Sequence, residues 1–237
     1  FRQGGAHFVL VEEGDHKVIG FLSMEDVLEV LVGDIQDEHR KAERGILAYQ
    51  PGKLLVRGPD ACALLQRLCT ADVDVPVGSV VYTGVLNMRG TYEADVTVTR
   101  TGRDEFLWIT SSASVVRDKD WIERHIPAGQ RVSVTDVSSA FAVLGVMGPR
   151  SRELLQRLSA ADLTNEGFPF GTSREIDLGH STVRATRLTY VGELGWELYV
   201  PSDFAVGVFD LLHEAGADLG IADAGYYAIN ALRLEKG

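Results

Sequence analysis

The chain has 237 residues, of which 45% are hydrophobic and 24% are charged, a composition typical of one or two globular domains. Its formal net charge is -11 and it contains no basic run, which argues against nucleic-acid binding. No apolar stretch is long enough to cross a membrane and the histidines show no paired ligand spacing, so neither a membrane segment nor a metal site is predicted.

The N-terminal zone of the chain differs in pattern from the rest. Strands are predicted over His7–Glu12 and Lys17–Leu22, with a turn between them, and a helix is predicted over Met24–Val32. Residues 34–44 are nearly all polar and indicate a solvated helix end or a linker. We therefore expect two domains, residues 1–44 and residues 45–237.

An internal repeat organises the main domain. The sequence GPDACALLQRL at Gly58–Leu68 returns as GPRSRELLQRL at Gly148–Leu158, an offset of 90 residues. The predicted strands Glu105–Thr110 and Gly195–Val200 share this offset, and each precedes a predicted helix. The pattern favours two related α+β halves around a central crevice, a common ligand position. A chance recurrence of one helix pattern is the alternative.

The two cysteines, Cys62 and Cys69, both lie on one predicted helix, seven residues apart. Their spacing corresponds to about 10 Å of helical rise, which is too far for a disulfide. Two small buried residues are the simplest interpretation. The cytoplasm, or the mitochondrial matrix in a eukaryote, fits such free thiols.

The strand predicted over Tyr92–Thr99 alternates between apolar and polar residues. The apolar set is Tyr92, Ala94, Val96 and Val98, and the polar set is Glu93, Asp95, Thr97 and Thr99. Because successive side chains of a strand point to opposite faces, Asp95 and Thr97 are neighbours on one face. On pattern alone, a solvent-exposed face is the simpler explanation, although acidic residues are poor strand formers.

A second polar pair is predicted at the sequence LTYVGELGWELYV. If Gly192–Gly195 is a four-residue hairpin loop, Tyr190 lies opposite Glu197. A carboxylate beside a phenol can hold a flat heterocycle with adjacent N–H donors, and a surface hairpin would show the same pair. In the last predicted helix, Arg233 lies among apolar residues and either reaches water or pairs with an anion.

Four segments of the main domain together resemble a known family. They are KLLVRGPDACALLQRL, VVYTGVLNMRGTYEADVTVTR, LTYVGELGWELYVP and ALRLEKG. Over about residues 53–237 the chain resembles the folate-binding aminomethyltransferase domain of the glycine-cleavage T-protein and of dimethylglycine and sarcosine dehydrogenases, and it is closer to the latter, flavoprotein-linked members. The resemblance implies tetrahydrofolate-dependent transfer of an aminomethyl or imine carbon to form 5,10-methylenetetrahydrofolate. It also implies an amine-derived donor, supplied by a flavoprotein or a lipoyl carrier partner.

The resemblance also implies roles for individual residues. Glu197 would hold the pterin 2-amino and N3 edge, while Tyr190 and Tyr82 would flank the folate. Asp95 would be the catalytic carboxylate near N5 and N10, with Thr97 assisting. Arg233 would contribute to the folate site. The family's C-terminal β-barrel is expected to be absent from this chain.

Residues 1–35 resemble the second half of a CBS module of hemolysin-related and magnesium/cobalt-efflux proteins. Ser23 and Asp26 would hold a nucleotide ribose in such a module, or they would form a helix capping box. The expected fold is therefore α+β, with two pseudo-repeated halves around a folate crevice and a short β-β-α segment. Two alternatives to catalysis stay open: a folate-binding module without turnover, and a CBS-type nucleotide-responsive fragment.

Overall fold

The computed structural model describes residues 8–13, 17–23 and 51–236, and the chain divides into two units, residues 1–46 and 47–237. In the first unit, β1 (Phe8–Glu13) and β2 (Lys17–Ser23) form an antiparallel hairpin, which confirms the two predicted strands. The predicted helix Met24–Val32, including Asp26, and the polar segment 34–44 lie outside the described residues.

The first of two antiparallel sheets in the second unit has five strands, in the order β4-β5-β6-β3-β7. The strands are β3 (Gly52–Arg57), β4 (Val80–Leu86), β5 (Tyr92–Gly102), β6 (Glu105–Thr110) and β7 (Ser133–Asp136). Two helices, α1 (Ala61–Leu68) and α2 (Val115–Arg124), pack against this sheet. The apolar stripe of α1 is buried, as its spacing predicts.

The second sheet has four strands, in the order β9-β10-β11-β8. They are β8 (Phe141–Met147), β9 (Ser173–Leu178), β10 (Ser181–Thr186) and β11 (Gly195–Pro201). Helices α3 (Ser151–Leu158) and α4 (Ala205–Gly216) pack against it, and α5 (Tyr226–Lys236) follows. The helices α1 and α3 begin 90 residues apart, as do α2 and α4, which is the spacing of the sequence repeat.

Each sheet has its own apolar core on the face that its helices cover. Trp108 is fully buried in the first core and Trp196 in the second. The opposite faces of the sheets turn toward each other, because Leu107 of β6 packs in one cluster with Val143 of β8 and Tyr199 of β11. Residues that alternate with the two cores therefore line a cleft between the sheets.

The two sheets meet at a short backbone junction. Ser79 and Thr172 form an isolated antiparallel bridge. The Val80 N–H donates to the Gly171 carbonyl at 2.8 Å, and the Ser173 N–H donates to the Gly78 carbonyl at 2.7 Å. These hydrogen bonds are reciprocal, so the two halves present equivalent backbone positions to each other.

Two predictions about side-chain placement are wrong. Tyr92 is exposed rather than part of the apolar face, because a register shift at Val85 and Leu86 interrupts the pairing of β4 and β5 beside it. The predicted hairpin at Gly192–Gly195 is absent, because β10 ends at Thr186 and β11 begins only at Gly195. Glu197 pairs with Thr186 and Gly145, not with Tyr190.

None of the helices that the structure describes is long and apolar enough to cross a bilayer. Across the same residues, no group of three or more His, Cys, Asp or Glu side chains is arranged to hold a metal ion. Both cysteines are free thiols, with Cys69 directly after the end of α1.

Candidate functional site

Asp95 and Thr97 lie on the face of β5 that lines the cleft. Thr97 pairs with Ile109 of β6, and Ile109 packs against the cluster that contains Tyr199 of the second sheet. On its other side, Thr97 pairs with Tyr82 of β4. A hydrogen bond to Asp95 raises the pKa of the Tyr82 phenol. The predicted residues Tyr82, Asp95 and Thr97 are therefore neighbours.

A glycine lies directly opposite Asp95 in the sheet. This residue, Gly84, leaves space that the ring of Tyr92 occupies, since a Cβ atom at Gly84 would lie 2.5 Å from the Tyr92 ring. The Tyr82 and Tyr92 side chains are 72% and 73% exposed. Two exposed phenol rings thus lie beside the Asp95 carboxylate, where a flat ligand could contact them.

The helix α5 brings Arg233 to this site through the segment before β11. The Arg233 guanidinium donates to the Tyr190 hydroxyl at 2.9 Å and lies 5.1 Å from the centre of the Tyr190 ring. The Tyr190 hydroxyl donates in turn to Asn230 Oδ1 at 2.9 Å. The positive charge of Arg233 also acts on Tyr82 and opposes the rise in the pKa of its phenol. We refer to Tyr82, Tyr92, Asp95, Tyr190 and Arg233 as the Asp95 cluster.

Glu197 lies on the second sheet, on the β11 face that lines the cleft. Its neighbours Trp196 and Leu198 point into the core of the second sheet. The Tyr199 hydroxyl donates to Glu197 Oε2 at 2.8 Å. The carboxyl group is half-buried, and this burial raises its pKa although the Tyr199 hydrogen bond opposes the shift.

A glycine also lies directly opposite Glu197. This residue, Gly145, is exposed on the edge strand β8, so one flank of the Glu197 carboxyl carries no side chain. Asp95 also lies opposite a glycine, Gly84, but the Tyr92 ring fills the space there. Each carboxylate therefore has a glycine as a cross-strand neighbour, and the two carboxylates lie on sheet faces that turn toward each other.

A cavity of about 350 Å³ lies between the sheets beside Tyr199. Its wall carries two ion pairs, Arg57 with Glu105 at 2.6 Å and Arg184 with Glu175 at 2.8 Å. Asp95 does not line this cavity but lies on the open surface of the cleft. We base the site on the Asp95 cluster and Glu197, because the cavity beside Tyr199 is walled by charges that already neutralise each other.

Three residues of the site were not singled out by the sequence. Tyr92 was assigned to the apolar face by alternation, which the register shift breaks. Tyr199 shares the strand face of Glu197 two residues away, so alternation could have identified it. Asn230 precedes Arg233 by three residues in α5, and this spacing places both on one side of a helix.

The chain matches the GCVT N-terminal domain family over residues 29–237. It belongs to this family. It is 41% identical over 206 residues to 4-methylaminobutanoate oxidase (formaldehyde-forming) of Paenarthrobacter nicotinovorans, covering 86% of this chain and 25% of the oxidase. It is 38% identical over 194 residues to rat mitochondrial dimethylglycine dehydrogenase, covering 81% of this chain and 22% of the dehydrogenase. With an aminomethyltransferase of Halothermothrix orenii it shares 36% identity over 187 residues, 78% of this chain and 51% of the enzyme.

The fold resembles that of glycine cleavage system aminomethyltransferase T from Bartonella henselae, with a TM-score of 0.67 at 23% identity. The aligned region covers 79% of this chain and 49% of that one. The resemblance to the aminomethyltransferase domain is therefore confirmed, and the chain is aminomethyltransferase-like. It spans between about a fifth and a half of the length of these relatives. The family match begins at residue 29, and the CBS-like assignment of residues 1–35 stays a prediction.

Proposed function

We propose that the cleft binds tetrahydrofolate and that the chain transfers a one-carbon unit from an amine-derived donor, forming 5,10-methylenetetrahydrofolate. One observation carries the proposal: two carboxylates, Asp95 and Glu197, lie on facing sheets, each opposite a glycine, with exposed tyrosines beside the first. Membership in the aminomethyltransferase family supports folate-dependent one-carbon transfer at the level of the family.

The residues of the cleft suit a reduced pterin. The Glu197 carboxylate can accept two adjacent N–H groups of a heterocycle, and the open flank at Gly145 gives such a ring access. Hydrogen bonds to an ionised carboxylate are among the stronger ones in proteins. The exposed phenol rings of Tyr82 and Tyr92 offer flat apolar contact, and Tyr190 with Arg233 adds a further aromatic and cationic edge.

Asp95 is the residue that we assign to the chemical step. Tetrahydrofolate would supply the two nitrogens that accept the one-carbon unit. As the carbon leaves the donor nitrogen, positive charge develops on the carbon, and the Asp95 carboxylate, which lies near the Tyr82 phenol, stabilises that charge. The protein forms no covalent bond in this scheme, so orientation by Glu197, Thr97 and Arg233 contributes much of the remaining acceleration.

We also infer that the two halves are repeats, of which only the first carries a carboxylate at the Asp95 position. The reciprocal junction makes Val80 equivalent to Ser173. Counting along the paired strands from there makes Asp95 equivalent to Thr182. The chemistry would thus be confined to one end of a nearly symmetric cleft. A flavoprotein or a lipoyl carrier would deliver the donor to that end.

The binding step is tested by calorimetry with tetrahydrofolate. Removal of a hydrogen bond to a charged group costs about 1.5–3 kcal/mol, so Glu197→Ala should weaken binding by roughly 10- to 100-fold. Gly145→Val should weaken binding as well, since it fills the open flank while a Cβ there meets only ordinary contacts. Wild-type affinity in both folded variants would exclude Glu197 as the pterin ligand. AMP or ATP binding without folate binding would favour the nucleotide-responsive alternative.

The chemical step is tested with Asp95→Asn, which keeps the size of the side chain. We expect tetrahydrofolate affinity to be nearly unchanged and transfer to fall by about 10²–10³-fold. Asp177→Asn is the matched control, because Asp177 is an exposed carboxylate on the corresponding strands of the second sheet. Unaltered transfer by Asp95→Asn would reduce Asp95 to a surface residue. Folate binding by a wild-type chain that performs no transfer would favour the non-catalytic alternative.

A further inference from the structure

Two residues of α5 determine how the Tyr190 hydroxyl can bond to a ligand. A hydroxyl group has one proton to donate and two lone pairs that accept. The Tyr190 proton goes to Asn230 Oδ1 at an O···O distance of 2.9 Å, and one lone pair accepts from the Arg233 guanidinium at 2.9 Å. One lone pair remains. Tyr190 therefore offers a ligand an acceptor and no donor.

This hydroxyl can be reached from the cleft and has a fixed position. The Tyr190 side chain is 38% exposed, and both of its hydroxyl hydrogen bonds lie at the surface. The backbone of Tyr190 is held by β8, because its N–H donates to Met147 Sδ at 3.4 Å. The end of α5 is held to the same segment by the ion pair of Lys236 with Glu193. A ligand therefore meets an oxygen whose free lone pair is already oriented.

The other phenol groups of the site also form hydrogen bonds with acceptors of the protein. The Tyr82 phenol is hydrogen-bonded to Asp95, and the Tyr199 hydroxyl donates to Glu197 Oε2 at 2.8 Å. Asp95, Glu197 and the Tyr190 oxygen therefore all face a ligand with lone pairs. A ligand with several N–H groups fits these acceptors, whereas bare ring nitrogens would repel them.

The hydrogen-bonding character of a pterin depends on its oxidation state. In tetrahydrofolate the ring nitrogens N5 and N8 each carry a hydrogen, whereas in folic acid both are bare acceptors. The 2-amino and N3 edge that we assign to Glu197 carries N–H groups in both forms, so Glu197 does not distinguish them. A fixed acceptor does, because a site built to accept an N–H binds the analogue that lacks it more weakly.

Given a folate site in this cleft, we propose that Asn230 is a positioning residue that makes the site selective for the reduced pterin. By accepting the Tyr190 proton, Asn230 leaves the Tyr190 oxygen as an acceptor for a ring N–H of tetrahydrofolate. Folic acid presents a lone pair at the same place. Asn230 thus acts through Tyr190, and its effect is on the choice between the two oxidation states.

The test compares the dissociation constants of tetrahydrofolate and folic acid, measured by calorimetry on the full chain in the absence of oxygen. The wild type should bind tetrahydrofolate at least about 10-fold more tightly. Asn230→Leu keeps the shape but removes the acceptor, so the Tyr190 proton becomes free to bond a bare ring nitrogen. Folic acid should then bind about 10-fold more tightly than to the wild type. Tyr190→Phe should reduce the selectivity by the opposite route, through weaker tetrahydrofolate binding.

Two variants serve as controls. Asn230→Asp places a carboxylate, which only accepts, beside the Tyr190 hydroxyl and should keep the wild-type selectivity. Glu235→Gln, at an exposed position two residues beyond Arg233 and thus on another side of α5, should change neither constant. The role of Asn230 is overturned, with the folate site intact, if the wild type binds both folates equally, if Asn230→Leu keeps the selectivity, or if Asn230→Asp loses it. If the wild type binds neither folate, the folate site itself is wrong, and the role of Asn230 with it.

Discussion

The Glu197 carboxyl couples binding to a cost in folding. Burial raises the pKa of this carboxyl above the ordinary value of about 4.3. The ionised form is therefore less stable in the folded chain than in the unfolded chain. The cost is absent below about pH 4.3, where the group is protonated in both states, and it grows as the pH rises through the raised folded-state pKa. A ligand that donates hydrogen bonds to the carboxylate removes the cost.

This coupling predicts opposite effects of one substitution on stability and on binding. At neutral pH, Glu197→Gln should unfold at a higher temperature than the wild type, because it removes the buried charge and keeps the shape. The difference should shrink as the pH is lowered toward 4. Tetrahydrofolate affinity should fall at the same time. The measurement is the melting temperature of both proteins between pH 4 and 8. The prediction is contradicted if the stability of the variant relative to the wild type is lower at pH 7 than at pH 4.

Residue-level prediction succeeded where a periodic rule governs the side chain. The alternation of β5 placed Asp95 and Thr97 on one face, and the structure has both residues there. It failed for Tyr92, where a register shift breaks the period. It failed again for Tyr190, whose hydroxyl partners, Asn230 and Arg233, lie 40 and 43 residues further along the chain. No local pattern contains such contacts.

The strand-to-helix turns that precede α1 and α3 have similar backbone conformations but different surroundings. Gly58 and Gly148 have φ angles of 133° and 130°, a region that other residues rarely adopt. A Cβ at Gly58 would lie 2.0 Å from the Arg131 carbonyl oxygen, whereas a Cβ at Gly148 would meet nothing within 4 Å. The pair therefore separates the conformational cost of a side chain from its steric cost.

Alanine at these two turns should destabilise the chain to different degrees. Gly148→Ala should cost about 1–3 kcal/mol, the usual range for a residue in an unfavourable backbone region. Gly58→Ala should cost clearly more, because the backbone at Arg131 must also move. Urea unfolding of the two variants measures the difference. Equal decreases in the free energy of unfolding would mean that the backbone around Arg131 can move without an energetic cost.

At the level of elements, the sequence predicted the main helices and the strands β5, β6 and β11 but not the connection between β10 and β11. The repeated LLQRL stripe identified α1 and α3 because amphipathic spacing is a local property. Residues distant in sequence hold the connection instead. The Tyr190 N–H donates a hydrogen bond to Met147 Sδ, and Glu193 forms an ion pair with Lys236 at 2.7 Å. The local sequence favours a tight hairpin, but the contacts with these distant residues stabilise a longer connection.

For the whole molecule, the role of the first residues is open to a direct test. The division between residues 46 and 47 predicts that a chain beginning at Leu47 folds and binds tetrahydrofolate like the full chain. The family match begins earlier, at residue 29, and predicts the opposite if residues 29–46 complete the domain. We expect the shortened chain to keep its melting temperature within a few degrees. If the shortened chain lost its cooperative thermal unfolding transition, the domain would instead begin near residue 29, where the family match begins.

The short junction between the sheets has a consequence for how the molecule opens. Each sheet closes its own core, and Ser79 and Thr172 join the two through few backbone hydrogen bonds, so the halves can exchange amide protons as separate cooperative units. A ligand that contacts both Asp95 and Glu197 would tie these units together and slow exchange in β5 and β11 alike. A ligand that contacts only one half would slow exchange in that half only. Protection patterns along the chain would thus distinguish a molecule that bridges the halves from one that binds a single half.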